Sequence, residues 1–236
     1  MNPLNITTDF SGNWDNEESA RLKTAYEFAV QNNSKLPDSL FELYGQSGYQ
    51  YRRLINKLVE LTPDARYLEV GSWTGSTACS AMYGNTCKVL CIDNWDPFNW
   101  DPSFGSPRTK FFENINTFKN NNVDFHCIES DFATVDYSTV GKFNVYLFDG
   151  PHAERDQYLG ISLAQQALDD TYLLIVDDWN WEDVRSGTFN ALNAVGNTIV
   201  SSIVIRTTQD NTHPPPGFAG PTTEWHNGYF MAVIKK

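Results

Sequence analysis

Basic residues and cysteines are few in this chain, and long apolar runs are missing; each shortage closes off a class of function. Only 17 Lys and Arg stand against 29 Asp and Glu, a formal charge of −12. That balance argues against a nucleic-acid backbone or an anionic membrane surface as partner and favours a neutral or cationic small molecule. The cysteines, Cys79, Cys87, Cys91 and Cys127, form no Cys-x2-Cys pair. They read as reduced, structural residues packed as small hydrophobes. No apolar run approaches the ~20 residues a membrane helix requires. The opening Met1-Asn2-Pro3-Leu4-Asn5-Ile6 has neither a basic nor an apolar leader region, so the expected location is the cytoplasm. The three-glycine dinucleotide fingerprint is absent, as is the Gly-Lys-Ser/Thr ending of a phosphate-binding loop. Those absences count against NAD and ATP.

What is present is an alternation of short apolar strands with helical stretches. Runs rich in Val, Ile, Leu, Tyr and Phe occupy Arg66 to Val70, Lys88 to Asp93, Val123 to Ile128, Phe143 to Asp149 and Tyr172 to Asp177. Helix-like stretches lie between them at 76–84, 108–120, 153–168 and 181–195. The pattern is βαβ throughout and predicts a mostly parallel sheet with helices on both faces. Thr198 to Arg206 and Tyr229 to Ile234 have no helix-length connection between them, so they are expected to pair antiparallel at one side of the sheet. Upstream, residues 1–18 are polar and read as an arm. Helical spacing then runs through Leu22, Ala25, Tyr26, Ala29 and Val30, and again through Tyr51, Leu54, Ile55, Leu58 and Val59. The expected organisation is one domain of 236 residues, with residues 1–62 packing on a core over 63–236.

The most informative run is Arg66 to Thr77, in which a strand carrying Glu69 passes straight into Gly71-Ser72-Trp73-Thr74-Gly75. Gly71 and Gly75 permit a tight turn and close approach to a ligand. Ser76 and Thr77 are placed to cap the following helix. In a doubly wound sheet the ligand sits outside the carboxyl ends of the strands, and each of the five strand ends here carries a carboxylate. Asp93 is placed to accept from both hydroxyls of a ribose, with a helix N-cap or a solvated turn as the alternative. Trp95 offers a flat face to an adenine or fills the core. Asp131 can accept from an adenine amino group or cap the next turn. Asp149, Asp177 and Asp178 would bring three carboxylates to one point, which calls for a shared proton, a basic partner or a cation. A hard divalent cation such as Mg2+ satisfies that demand, with capping by Asp178 as the alternative. His152 is a candidate general base. Asn180 is read either as a ligand or as a helix cap, and His126 is given no role. The loop from Asn211 to Pro221, followed by Glu224-Trp225-His226, reads as a substrate wall.

These residues resemble the class I S-adenosylmethionine-dependent methyltransferases. The shared pattern is "LE-V-G-S-x-x-G-S-T … C-I-D-x-W … D-G-x-H … DD-W", spanning Arg66 to about Leu192. Within that family the chain is similar to the small-molecule branch that includes macrocin-type sugar O-methyltransferases and, more distantly, catechol O-methyltransferase. The resemblance implies a Rossmann-like seven-stranded sheet with an antiparallel last strand. It implies that Glu69, Gly71 and Gly75 line the methionine part of S-adenosylmethionine, with Ser72, Ser76, Trp95 and Asp149 also among the cofactor-binding residues. Asp93 would hold the ribose and Asp131 the adenine end. In the metal-dependent members, the residues matching Asp149, Asp177 and Asp178 hold Mg2+. The family's catalytic Asp-Gly-Asp is altered here, with Pro151 at the third position and His152 as the nearest replacement base. The implied partner is a small-molecule acceptor with a sugar or diol hydroxyl. Aromatics in the insert, Trp95, Phe98, Trp100 and Phe104, suit a homo-oligomer contact as readily as a substrate wall.

Overall fold

The computed structural model describes residues 6–95, 105–215 and 224–236. Along the chain lie β1 (Thr7–Gly12), α1 (Glu17–Val30), α2 (Asp38–Phe41), α3 (Tyr49–Leu61), β2 (Arg66–Val70), α4 (Ser76–Met82), β3 (Cys87–Asp93) and α5 (Pro107–Phe118). They are followed by β4 (Val123–Glu129), β5 (Phe143–Phe148), α6 (Glu154–Leu163), β6 (Leu168–Val176), α7 (Glu182–Ala194), β7 (Thr198–Arg206) and β8 (Tyr229–Lys235). One sheet takes them in the order β1-β7-β8-β6-β5-β2-β3-β4. Strands β2 to β6 run parallel to their neighbours among themselves. Strand β8 runs against both β6 and β7, and β1 against β7. The antiparallel last strand is therefore as expected.

The sheet has eight strands, not seven. The extra one is β1, drawn from the polar segment that the sequence presents as an arm. Its side chains are half-buried or exposed, so no apolar alternation betrays it. Backbone pairing with β7 holds it, helped by a hydroxyl contact of 2.9 Å between Ser11 and Ser202. At its end Gly12 takes φ +90°, where a Cβ would lie 2.3 Å from the Val200 carbonyl oxygen.

Strand alternation divides the core into two layers. Tyr67, Val89, Cys91, Val145, Leu147 and Ile175 face α1, α3, α4 and α5, meeting Leu22, Leu54, Ile55, Ala78, Phe111 and Ile115. Leu68, Val70, Leu90, Tyr146, Phe148 and Leu174 face the other way, onto Ile161 of α6 and Val184, Ala191 and Leu192 of α7. Both faces are covered, which is why these strands read as near-continuous apolar runs. The four cysteines carry free thiols, three of them buried. No helix among the described residues is long and apolar enough to cross a membrane.

Because β2 lies between β3 and β5, the chain leaves it in one direction to build β3 and β4 and returns to its other side as β5. The strand order reverses at the β2/β5 boundary, and the carboxyl ends there form the crevice where such sheets bind ligands.

Candidate active site

A cavity of about 630 Å3 opens at that crevice. Its walls come from the ends of four strands and one upstream loop: Gly71 to Trp73 after β2, Asp93 to Trp95 after β3, Ser130 to Ala133 after β4, Asp149 to His152 after β5, and Tyr44, Gln46 and Ser47 before α3. Asp93, Asp131, Asp149 and Asp156 line it, and among the described lining residues there is no Lys or Arg. The site is acidic and suits a ligand bearing positive charge.

The glycine turn is shaped by close backbone approach. Gly71 takes φ +85°, and a Cβ on it would lie 1.8 Å from the Asp149 carbonyl oxygen. This glycine therefore admits the neighbouring strand end rather than making room for a ligand. Gly75 takes φ +82° and is itself the N-cap of α4, with no side-chain capping bond. Neither Ser76 nor Thr77 caps that helix, contrary to the sequence expectation. Ser76 and Thr77 line the cavity instead, together with Ser72, whereas Gly75 and Glu69 do not.

Asp93 fastens the turn. Its Oδ2 accepts from the backbone N–H of Ser72 at 2.8 Å and of Trp73 at 2.7 Å, and its Oδ1 accepts from Trp95 N–H at 2.7 Å. A carboxylate offers about four acceptor positions, so one is left for a ribose hydroxyl. Trp73 and Trp95 both have positive φ, 46° and 45°, unusual for bulky residues. The Trp95 indole N–H donates to the Trp73 carbonyl at 2.8 Å, and its ring packs on Phe111 at 5.2 Å. Trp95 thus fills core and lines the cavity at once. The Asp131 Oδ1 accepts from Ala133 N–H at 2.9 Å, capping the short helical turn after β4, while the residue still lines the cavity. Phe98, Trp100 and Phe104 lie outside the described residues.

Glu69 is fully buried behind the turn. Its Oε2 accepts from the Tyr67 hydroxyl, and its Oε1 has no hydrogen-bond partner of good geometry. Burial pushes its pKa up to about 7, although the nearby Tyr67, Ser72 and Thr77 hydroxyls pull the other way.

At the opposite end, His152 and Asp178 form a pair, with Nε2 of the ring 2.7 Å from Asp178 Oδ2. The Asn227 amide donates to Asp178 Oδ1 at 2.7 Å. Burial opposes ionisation of Asp178, but His152, His226 and Asn227 outweigh it and hold its carboxyl below the usual range. The His152 ring also meets Trp181 edge-on, with centroids 4.7 Å apart.

Asp149, His152 and Asp178 each present a ligand atom within 4.8 Å of the others, but Asp177 does not join them. Both Asp177 and Asp178 lie past the end of β6, and Asp178 takes φ +58° there. Asp177 accepts from Asp178 N–H at 2.6 Å and lies on the side of the stacked Tyr51 and Tyr229 rings. Burial, reinforced by mutual repulsion, raises the Asp149 and Asp177 pKa values.

Asn180 is neither a ligand nor a helix cap. It is buried, its amide donating to Thr207 Oγ1 and Asn227 Oδ1 at 2.8 Å, and its Oδ1 accepting from Thr207 N–H at 2.9 Å. It ties the ends of β6, β7 and β8 together. In the last loop, Trp225 is buried against Tyr26 and Tyr229 rather than facing the cavity. His213 meets Trp181 at a tilt and His226 in a T-shaped contact, and residues 216–223 lie outside the described residues. His126 is exposed beside Asp124.

Sequence reasoning missed the loop from Tyr44 to Ser47. Its Gly45 is wedged against Ser76, where a Cβ would lie 2.0 Å from Oγ, and the Thr74 hydroxyl donates to the Tyr44 carbonyl. That glycine is the one local signal of a close approach.

No protein-family model matches the sequence, and no curated protein sequence matches it. Among solved structures, the fold is similar to that of a candidate RNA methyltransferase from Pyrococcus horikoshii, at 14% identity and a TM-score of 0.53, covering 92% of this chain and 98% of that one. It is similar to the O-methyltransferase from Bacillus cereus in complex with S-adenosylhomocysteine, at 12% identity and a TM-score of 0.52, covering 92% of this chain and 91% of that one. A candidate S-adenosylmethionine-dependent methyltransferase from Streptococcus mutans aligns at 14% identity with a TM-score of 0.50, covering 80% of this chain and 48% of that one. At these identities the likeness is one of fold: the chain carries the Rossmann-like sheet found in S-adenosylmethionine-dependent methyltransferases.

Proposed function

We propose that the protein is an S-adenosylmethionine-dependent methyltransferase that acts on a hydroxyl of a small molecule. The observation that carries this reading is a shared wall: the glycine turn, Asp93 and Asp131 line the same cavity as Asp149 and His152. Cofactor and base would therefore meet in one chamber. Its volume of about 630 Å3 falls in the range of roughly 300–1,000 Å3 found for small-molecule sites. Its uncompensated carboxylates suit a ligand with a sulfonium and an ammonium group.

In this reading Asp93 offers its remaining acceptor position to the ribose, Asp131 its free oxygen to the adenine, and Gly71 to Trp73 the wall beside the methionine end. S-adenosylmethionine, when bound, supplies a methyl group already activated by the positive sulfur. The protein's share is orientation and deprotonation. With Nε2–H donating to Asp178, the His152 Nδ1 is the nitrogen with a free lone pair. It takes the proton of the acceptor hydroxyl, and Asp178 stabilises the imidazolium that forms. The lining carboxylates and the formal charge of −12 support a small acceptor over a polyanion such as RNA.

A second reading rests on the convergence of Asp149, His152 and Asp178 within 4.8 Å. Those three atoms can hold a divalent cation, Mg2+ or a softer ion that accepts imidazole, in which case His152 is a ligand and not the base. Transfer of a labelled methyl group to a panel of sugars, catechols and polyols tests the proposal, run with and without EDTA. Turnover that survives EDTA supports His152 as base; turnover lost in EDTA and restored by Mg2+ or Mn2+ supports the cation. No transfer to any hydroxyl, in protein shown to be folded, overturns both.

A further inference from the structure

Arg52 is the one Lys or Arg among the described residues that is fully buried, and the account so far gives it no role. It lies in α3. Its Nη1 donates to the carbonyls of Leu40, Phe41 and Leu43 at 3.0–3.1 Å, and its Nε donates to Ser47 Oγ at 2.9 Å. Its Nη2 has no hydrogen-bond partner. No carboxylate among the described residues forms an ion pair with it. Burial lowers its pKa to about 10, and the groups that oppose this are Tyr229, Tyr49 and Cys79, none of them a carboxylate. A buried cation without an anion is costly. Capping the short helix α2 explains the three carbonyl bonds but not the missing counter-charge.

The bond from Nε leads toward the cavity. Ser47 Oγ accepts the guanidinium proton and sits 3.2 Å from Ser76 Oγ. These two buried hydroxyls both line the cavity. They carry two protons between them, and their mutual bond uses one. A relay running outward from the guanidinium has Ser47 donate to Ser76, and the Ser76 proton then has no acceptor among the described residues and lies at the cavity wall. Hydrogen bonds in such a chain polarise one another, so that proton is a strengthened donor backed by a full positive charge. The rest of the lining is acidic, which leaves this end as the place where an anionic group can be held.

We propose that Arg52, acting through the Ser47 and Ser76 hydroxyls, is a positioning residue that holds a carboxylate at the amino-acid end of the cofactor. This rests on the methyltransferase reading and extends it to a specific role for Arg52. The proposal separates the two charged groups on the methionine α-carbon: the ammonium faces the acidic lining, the carboxylate the Arg52 relay.

The test is calorimetric titration of the full chain with two ligands. One is S-adenosylhomocysteine; the other is its decarboxylated analogue, with hydrogen in place of the carboxylate. The expected result is about tenfold or greater preference for the carboxylate-bearing ligand, the scale of a hydrogen bond to a charged group. Ser76→Ala leaves every Arg52 bond in place and should bring that ratio to within about twofold of unity. Arg52→Lys should lower it while weakening the decarboxylated ligand much less. A purely structural role would weaken both ligands alike and leave the ratio unchanged. Equal binding of the two ligands by the unaltered protein, or a ratio untouched by Ser76→Ala, overturns the proposal and leaves the cofactor reading standing. Absence of binding by both ligands overturns the cofactor reading and the proposal together.

Discussion

Glu69→Gln isolates the energetic consequence of a buried carboxylate behind the glycine turn. Glu69 is fully buried, and burial raises its folded-state pKa from an ordinary 4.5 to about 7. The folded protein therefore binds more protons than the unfolded chain between those two values. The stability this proton confers is fully present below the unfolded pKa and is lost as pH rises through 7. At about 1.4 kcal/mol per unit of pKa difference, the loss is about 3 kcal/mol. Gln keeps an oxygen that can accept from the Tyr67 hydroxyl but does not titrate. Urea unfolding of both proteins from pH 5 to pH 8.5 reads the effect, and subtracting one curve from the other cancels titration elsewhere. The variant should gain on the parent by about 2–3 kcal/mol across that interval. A difference that stays constant with pH would refute the assignment of a raised pKa to Glu69. The same group bears on binding: a cationic ligand favours its ionised form, so ligand affinity should rise as pH increases toward 8.

Other outcomes follow from the same geometry. Gly71→Ala forces a Cβ to within 1.8 Å of the Asp149 carbonyl oxygen at φ +85°; it should cost at least about 3 kcal/mol in urea unfolding, well above ordinary left-handed strain. Asn180→Ala strips partners from Thr207, Asn227 and the backbone N–H of Thr207, and should lower stability by about 2–4 kcal/mol. His152→Asn, removing the base, should reduce kcat by about 100-fold or more while S-adenosylhomocysteine affinity changes little. Asp178→Asn should reduce kcat in the same direction, because it disturbs the ring that faces the acceptor.

The sequence is most legible where both faces of a strand are buried. The spans Arg66–Val70 and Thr198–Arg206 match the observed strands to the residue, because Tyr67, Leu68 and Val70 mark the one and Ile199, Val200, Ile203, Val204 and Ile205 the other, despite the polar residues among them. Strand β6 begins four residues earlier than its apolar run, since Leu168 pairs with Phe143 and the Asp170 carbonyl accepts from Lys236 N–H, whereas Asp169 and Asp170 break the apolar pattern. Strand β1 is invisible for a related reason: an edge strand held by backbone bonds needs no apolar pattern. In the site, Asp93, Asp131, Asp149 and His152 could be found because the ends of parallel strands gather at one edge of the sheet. The role of Asp93 was harder to see. A carboxylate placed for a ribose turns out to fasten the Ser72 and Trp73 amides as well. Asp177 and Asp178 look equivalent as neighbours, yet both lie past the end of β6, where the positive φ of Asp178 turns it toward His152 while Asp177 lies beside Tyr229. The Tyr44 to Ser47 loop reaches the cavity, with Arg52 behind it, through packing of α3 on α4, a tertiary contact with no periodic signature.

The central claim is that the crevice at the β2/β5 boundary binds S-adenosylmethionine. The most direct measurement is isothermal titration of S-adenosylhomocysteine into the purified protein, with Ala133→Trp beside it. Ala133 is exposed and lines the cavity next to Asp131, so an indole there obstructs the adenine end without touching the core. Asp93→Ala is a poorer probe, because it unfastens the turn as well as removing an acceptor. The account predicts saturable one-site binding that weakens by about tenfold or more in Ala133→Trp. Absence of binding by folded protein, or binding that the added indole leaves unchanged, would contradict it.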